Sequence, residues 1–478
     1  MTIIKRISFL ILHLICIICI LLFFDTPLNV DMSYQRICIF LYLIATVLYF
    51  LFIRNNKDKN HLSFNNIFLF GFFIVFFQVI ILQHFDYYLP TWSYNKYWSN
   101  SEIENTSLIT SVLAITLYML GNSYGRCGYE VKSYKINNTS SIYILLIIAY
   151  FAYFLFFATS GSYRSGVYYA GDSLSVSNYF LKLFNASITA AIIVKITSIA
   201  NTCVKISLLN YLSKFGAPLL LLLGWHILFS LYVGDRGVII SYGLLVVSLY
   251  IYKFRRIKII ELVILILSAS ILMSVIGQVR QSKDYLQQLE TTFSDNKSNS
   301  RWYSEKVPGD SFIELAHSGR TLNHALVNVP NNYDFRYGAY AIKRIAGVIP
   351  GAQGLLSEMI DDGEKKYAST SEFISFLIQG DNTTYGDGTS ITADLYLDFG
   401  FLGVFLGMFI FGYFMATSER IISNDYISYL SLPWISFLIY YSKSIYLSRA
   451  SIFLELSGIF LVWFFIYFNH KFFYYFKK

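Results

Sequence analysis

The chain is short of charge: only 14% of its 478 residues are Asp, Glu, Lys or Arg, against roughly 25% in an ordinary soluble domain. It has few prolines, and its five cysteines build no disulfide framework. Cys16 and Cys19 form a C-x-x-C inside an apolar run, a poor place for zinc or redox chemistry, and Cys38, Cys127 and Cys203 stand far apart. No P-loop, no H-E-x-x-H and no G-x-S-x-G elbow occurs, so three common routes to catalysis have no motif here.

What the chain has instead is apolar surface: 55% of its residues are hydrophobic, with 40 Tyr and 43 Phe. No soluble core needs so much, and the fold class that follows is an all-α polytopic integral membrane protein. A span takes about twenty mostly apolar residues, and about twelve stretches qualify. They run over 7–24, 37–53, 62–82, 107–121, 141–159, 179–200, 214–233, 237–252, 258–276, 396–416, 428–446 and 450–468. The fourth and eighth are short. The chain thus divides into spans one to nine (1–276), a large, partly helical loop (277–395) and spans ten to twelve (396–478). The first stretch follows Lys5 and Arg6 as a signal peptide would, but Phe24-Asp25-Thr26-Pro27 is no small-residue cleavage site, so it reads as a retained helix.

Basic residues orient these spans. Lys5, Arg6, Arg54, Lys57, Lys59, Arg126, Lys132 and Lys135 fall on one side, with Lys205, Lys214, the Lys253–Lys258 cluster, Arg420 and the C-terminal lysines. The short loops of the other side hold only Arg36, Lys96, Arg164, Arg236, Lys443 and Arg449. The positive-inside rule then puts both termini in the cytoplasm and the large loop outside. No cytoplasmic segment is long enough for a nucleotide-sugar-binding domain.

The large loop carries more acidic than basic residues, unlike a nucleic-acid or membrane-surface patch. Its apolar positions predict a helix over 310–328, an amphipathic helix over 339–349 whose Lys343 and Arg344 reach lipid headgroups, and a short helix over 371–378. The turn-rich run 380–388 has little to bury and reads as mobile, with Thr389 or Ser390 capping the following helix.

Four groups of residues are candidates for chemistry. Gly234-Asp235-Arg236-Gly237 joins two spans with almost no loop, so Arg236 sits at the outer surface. There it either snorkels or pairs with Asp235, or else binds a diphosphate with its planar fork, its glycines allowing positive φ and close approach. Arg280 follows the next outward span at similar depth. His317 and His324 lie two helical turns apart on one predicted face, too far for shared metal ligation but suited to act as a base near neutral pH. Lys182, His226 and Glu455 fall toward the outer ends of spans, where ionisable groups are functional candidates. Tyr87, Tyr88, Trp92, Tyr94, Tyr97 and Trp98, with Tyr163, Tyr168 and Tyr169, are either an interfacial belt or faces for stacking sugars.

The span number, the late outer loop, the G-D-R-G junction and the run Gly388-Thr-Ser-Ile-Thr-Ala-Asp-Leu-Tyr-Leu-Asp-Phe-Gly400-Phe-Leu-Gly403 together resemble the Wzy-type O-antigen polymerases. The resemblance implies a glycosyltransferase of the bacterial inner membrane, part of lipopolysaccharide biosynthesis, acting on the periplasmic side. It would transfer a growing glycan from undecaprenyl diphosphate to a repeat unit carried on the same lipid. It implies no metal and no cofactor: arginines would hold the diphosphate and a loop residue would serve as base. Arg236 and Arg280 would then be catalytic, with Arg320, Arg336 and Arg344 as loop alternatives and His324 or His317 as the base. Asp394 and Tyr396, inside the telling run, would bind substrate. Partners would be the lipid-linked repeat units, membrane lipid, and a chain-length regulator and flippase of the same pathway; nucleic acid is not among them. The alternatives are an O-antigen ligase, a polyprenyl-phosphate-dependent glycosyltransferase using Asp25 and Asp31 for a metal, and a lipid-linked oligosaccharide flippase. Mostly uncharged spans and a large outer loop favour an enzyme over a flippase.

Overall fold

The computed structural model describes residues 3–53, 63–126, 142–164, 176–202, 205–233, 235–255, 258, 260–261, 264, 302–383, 386–423 and 452–476. Among these residues there are helices and no strand. The first part of the chain forms α1 (Ile3–Phe24), α2 (Met32–Leu48, continued by a π-helical turn), α3 (Phe64–His84), α4 (Thr91–Trp98) and α5 (Ile103–Arg126). It goes on with α6 (Tyr143–Thr159), α7 (Gly161–Arg164), α8 (Val176–Thr202), α9 (Leu208–Ser213), α10 (Ala217–Val233) and α11 (Arg236–Lys253). The loop folds into α12 (Asp310–Ala316), α13 (Arg320–Asn328), α14 (Ala339–Ala346), α15 (Ala352–Asp361) and α16 (Thr370–Gln379), and the chain ends with α17 (Ile391–Ser423) and α18 (Ile452–Phe476).

Six helices are long and apolar enough to cross a membrane: α1, α2, α3, α5, α8 and α17. Stretches in α6, α10, α11 and α18 are apolar but shorter. The chain is therefore a multi-pass membrane protein. One expected length is corrected: the fourth span is not short, since α5 runs from Ile103 to Arg126, whereas the apolar stretch of the eighth, Gly237–Ile251, is short as expected. Nearly all of the ninth expected span, and the eleventh, lie outside the described residues.

α5 and α17 make the most extensive contact in the fold, and glycines are the reason. A Cβ on Gly121 would lie 1.9 Å from the Phe409 carbonyl oxygen, and one on Gly412 would lie 2.1 Å from that of Tyr118. Without a hydrophobic driving force between helices in lipid, backbones that touch through small residues supply the packing. Away from the loop, Arg126 pairs with Glu419 at 3.1 Å, and the other Glu419 oxygen accepts from the Asn65 amide at 2.9 Å. The π-helical turn after α2 is fixed to the same helix, with Tyr49 donating to Asn122 at 2.6 Å.

α17 is not one straight helix. Gly400 has φ 63° and ψ −156°, a conformation close to glycine-only, and the chain turns back there. A Cβ on Gly403 would meet the Leu395 carbonyl oxygen at 2.5 Å, and one on Gly407 would meet the Leu395 side chain at 2.6 Å. Residues eight apart in a continuous helix are separated by about 12 Å. The arm 391–399 therefore folds against the head of 401–423, and the tenth span begins after Gly400 rather than at 396. The closing F-G-x-x-G pattern of the sequence is this reversal.

Candidate functional site

The arm 391–399 is held at both ends. Ser390 caps its start, the Oγ accepting from the Ala393 amide at 3.1 Å, as anticipated from sequence. At its other end the carbonyls of Leu397 and Asp398, orphaned by the break at Gly400, accept from the amides of Arg336 (2.9 Å) and Tyr337 (2.8 Å). The ring of Phe335 closes over Gly400, within 3.1 Å of where a Cβ would stand. The loop segment carrying Arg336 is thus joined to the telling run by two backbone hydrogen bonds.

On one side stands Arg320. The predicted helix over 310–328 is present as α12 and α13, joined by a tight 3-10 turn at His317–Gly319. Gly319 lets that turn press against α3, since a Cβ would lie 2.5 Å from the Val75 carbonyl oxygen. Arg320 forms an ion pair with Asp387, and its guanidinium lies 4.9 Å from the Trp302 ring centroid. Asp387 also accepts from Gln379 at 2.5 Å, and its amide donates to Ser375 at 2.9 Å. Burial pushes the Asp387 carboxyl above its ordinary range, opposed by Arg320. This corrects the expectation for 380–388: Asp387 is buried and tied to two loop helices, so the run is anchored there rather than free. Next to it Thr321 donates to Ser390 (2.9 Å) and Thr389 to Asp394 (2.6 Å).

On the other side Asp361 takes both Arg336 and Lys343. Lys343 donates further to the Tyr367 carbonyl, and Arg336 lies 4.3 Å from the Tyr367 ring centroid. The Lys343 ammonium is fully enclosed, and burial, with Arg336 and Arg344 nearby, pushes its pKa down to about 8. Arg344 is also buried and lies near Asp394. The expectation that Lys343 and Arg344 reach out to headgroups is therefore corrected: both turn inward, toward acids.

The histidines are placed by backbone carbonyls. His317 bonds through Nδ1 to the Ile313 oxygen (3.0 Å), and His324 through Nε2 to the Lys96 oxygen (3.1 Å), so each carries its proton on that nitrogen. Nε2 of His317 and Nδ1 of His324 are buried acceptors without a hydrogen bond. Neither titrates near neutrality, which corrects the sequence reading. Burial, reinforced by Arg320, lowers His317 well below the usual value and brings His324 to about 4. The two rings are in one zone but not on one straight helix, because the 3-10 turn separates them.

Other candidates are placed as follows. Tyr396 is buried and donates to the Val329 carbonyl at 2.7 Å, and Asp394 is fully buried beside Thr389. Arg236 opens α11, which packs against α8, α10 and α17; its side chain, that of Glu455 and the whole of Arg280 lie outside the described residues. Gly237 is helical and has no positive φ. The ammonium of Lys182 lies over the Tyr179 ring and near Gly347, at the end of α14. His226 is buried among Tyr153, Phe184 and Tyr242. Asp31 caps α2 through the amides of Ser33 and Tyr34. Tyr97 and Trp98 are core residues, neither belt nor groove, whereas Trp92 is exposed and stacks on Trp302. Tyr168 and Tyr169 lie outside the described residues.

Sequence reasoning missed Trp302, Asp361 and Asp387. Asp361 left a readable trace, since Gln353, Ser357 and Asp361 recur every fourth residue as a polar stripe. Trp302 and Asp387 left none, because no local periodicity connects either to Arg320, which both of them touch.

The arrangement brings two partly exposed arginines, each fixed by a buried aspartate, near the two ends of one short helical arm. Such forks suit an anionic, phosphate-like group better than a metal. No curated protein and no solved structure matches the chain. The family model for the O-antigen polysaccharide polymerase Wzy matches residues 5–478, and by that nearly full-length match the chain belongs to the Wzy family of O-antigen polymerases.

Proposed function

We propose that the protein lengthens O-antigen on the periplasmic face of the inner membrane, with both termini in the cytoplasm. It transfers the growing glycan from undecaprenyl diphosphate to a new lipid-linked repeat unit. The observation that carries this reading is the pair of loop arginines at the two ends of the arm 391–399: Arg320 held by Asp387 just before its start, and Arg336, whose amide bonds the Leu397 carbonyl, held by Asp361. A guanidinium has five N–H donors, so a carboxylate on one edge orients the fork without exhausting it. The remaining donors meet the diphosphate, and the orientation is set before substrate arrives.

In this reaction an acceptor hydroxyl attacks the donor's anomeric carbon, the bond from that carbon to the diphosphate oxygen breaks, and undecaprenyl diphosphate leaves. Arg320 and Arg336, with Arg344 behind them, stabilise the charge that develops on the leaving group. Arg236 and Arg280 complete the set in this proposal. The acceptor's proton passes to a neutral imidazole. His324 or His317 takes that role in this proposal, each keeping one ring nitrogen without a hydrogen bond. Asp394 and Tyr396 enter as the residues that hold the arm against the loop on the substrate side. The large loop at 277–395 acts as the unit that receives both glycans, and a chain-length regulator and a flippase work beside it.

Lipopolysaccharide banding of a deletion strain tests the reading. Core bearing a single repeat unit, restored to a ladder by the intact gene, is the expected result. Core with no repeat unit would point to a ligase or flippase, and an unchanged ladder would remove the proposal.

A further inference from the structure

α14 and α15 are built inside out. In a soluble protein the apolar stripe of a helix faces the core and the polar one faces water. Here α15 turns Gln353, Ser357 and Asp361 toward the protein, and all three are buried. Leu355, Met359 and Ile360 point away, Met359 being 81% exposed. α14 follows the same rule, burying Lys343 and Arg344 while Ile342 and Ile345 stand outside, with Ile349 just beyond its end. The two helices pack on each other through a turn in which Gly351 has φ 83°.

We infer that the α14–α15 hairpin lies in the bilayer, its six outward apolar side chains in contact with acyl chains of the leaflet on the loop's side. Three observations fix lipid as the occupant. The reversed polarity appears on both helices independently, and it is the pattern expected where the solvent is hydrocarbon. α14 packs against α18, whose apolar stretch exposes Phe460, Phe464 and Phe468, so the hairpin's outer face is continuous with a surface that lipid covers. Depth follows from the remaining outward residues. Glu358 and Asp362 are exposed at the end of α15, with Lys365 just after, which keeps the hairpin at the interface rather than the bilayer centre.

The consequence concerns access. The Arg336–Asp361–Lys343 group lies directly behind this hairpin, so a lipid-borne anion reaches it sideways from the leaflet. The placement itself does not depend on which residues bind diphosphate, and its test uses no polymerisation readout.

Ile345→Cys and Met359→Cys, each labelled with bimane, are reconstituted in vesicles of phosphatidylethanolamine and phosphatidylglycerol containing doxyl-labelled phosphatidylcholine. Asp334→Cys, exposed on the same loop, is the water-facing control, and the parent chain gives the labelling blank. Bimane at 345 and 359 should be quenched several-fold more than at 334, and should react slowly with a charged maleimide before labelling. Quenching equal to that at 334 with fast maleimide reaction would overturn the inference. So would disulfide-linked dimers of Met359→Cys without quenching, which would assign the face to a second copy. Hydroxyl-radical footprinting of the unsubstituted chain in lipid nanodiscs covers the case of misfolded variants. Met359 should be oxidised no faster than the buried Met408, and rapid oxidation of Met359 would overturn the placement.

Discussion

Arg320 and Asp387, 67 residues apart in the chain, form an ion pair that joins the first half of the loop to the residue preceding Gly388. The carboxylate is fully enclosed and the guanidinium is 12% exposed, so the pair is structural on one edge and open on the other. Losing either partner of such a pair costs about 3–5 kcal/mol, because a buried charge is left alone.

That asymmetry separates a strut from a ligand. Arg320→Lys keeps the charge facing Asp387 and loses the planar fork. It should therefore leave protein levels in the membrane near normal while cutting long-chain product by about tenfold or more, the effect of about 1.4 kcal/mol. Asp387→Ala should lower both. Immunoblots beside lipopolysaccharide gels check this, and an Arg320→Lys strain with a full ladder would reduce Arg320 to a strut.

Gly400 offers a test of the reversal in α17. Alanine there must take a backbone conformation that costs about 1–3 kcal/mol, and its methyl group also meets Phe335 at 3.1 Å. Gly388, with φ 74° and nothing within 4 Å, carries only the backbone cost, about 1–2 kcal/mol. Gly400→Ala should thus lower the heat-aggregation midpoint in detergent more than Gly388→Ala does. Equal midpoints would mean that Phe335 yields freely and does not clamp the arm.

The fold was legible wherever one helix explains itself. Apolar length marks α1, α3 and α8, and Ser390 followed by an apolar run marks the start of α17. Even the Gly388–Gly403 run stood out as a pattern, though its meaning, a chain reversal onto Gly403 and Gly407, needs a contact eight to twelve residues away. The site was less legible because its order is set by pairs such as Arg320 with Asp387 and Arg336 with Asp361. No local periodicity connects them. Lys343 and Arg344 were misread for a related reason: an amphipathic helix shows two faces, and sequence alone does not say which face meets lipid.

Topology is tested directly. Reporter fusions after Lys258 and after Lys471 should report cytoplasm, and one near Asn332 should report periplasm, as the distribution of basic residues requires. A cytoplasmic signal at Asn332 would put the arginines on the wrong side for periplasmic polymerisation.

The group formed by Arg336, Asp361 and Lys343 should make polymerisation pH-dependent. Lys343 has its pKa lowered from 10.5 to about 8, by burial first and then by Arg336 and Arg344, while Asp398 and Glu372 face it with the opposite effect. Arg336 and Arg344 stay charged throughout. With Asp361 ionised, the group carries one net positive charge below about pH 8 and none above it, when Asp361 is left to Arg336 alone. Affinity for an anionic lipid should therefore be highest below that pH and fall as pH rises through it. Unfolding does not account for such a fall. A lysine depressed in the folded state binds fewer protons there than in the unfolded chain between about 8 and 10.5, so its contribution to stability rises with pH across that window. In vitro polymerisation of lipid-linked repeat units from about pH 7 to about pH 9 should show the decline in the wild type. Lys343→Arg should abolish the decline, and Lys343→Met should be weak and flat throughout. A wild-type profile with no change near pH 8, or the same decline in Lys343→Arg, would remove Lys343 from the control of the site.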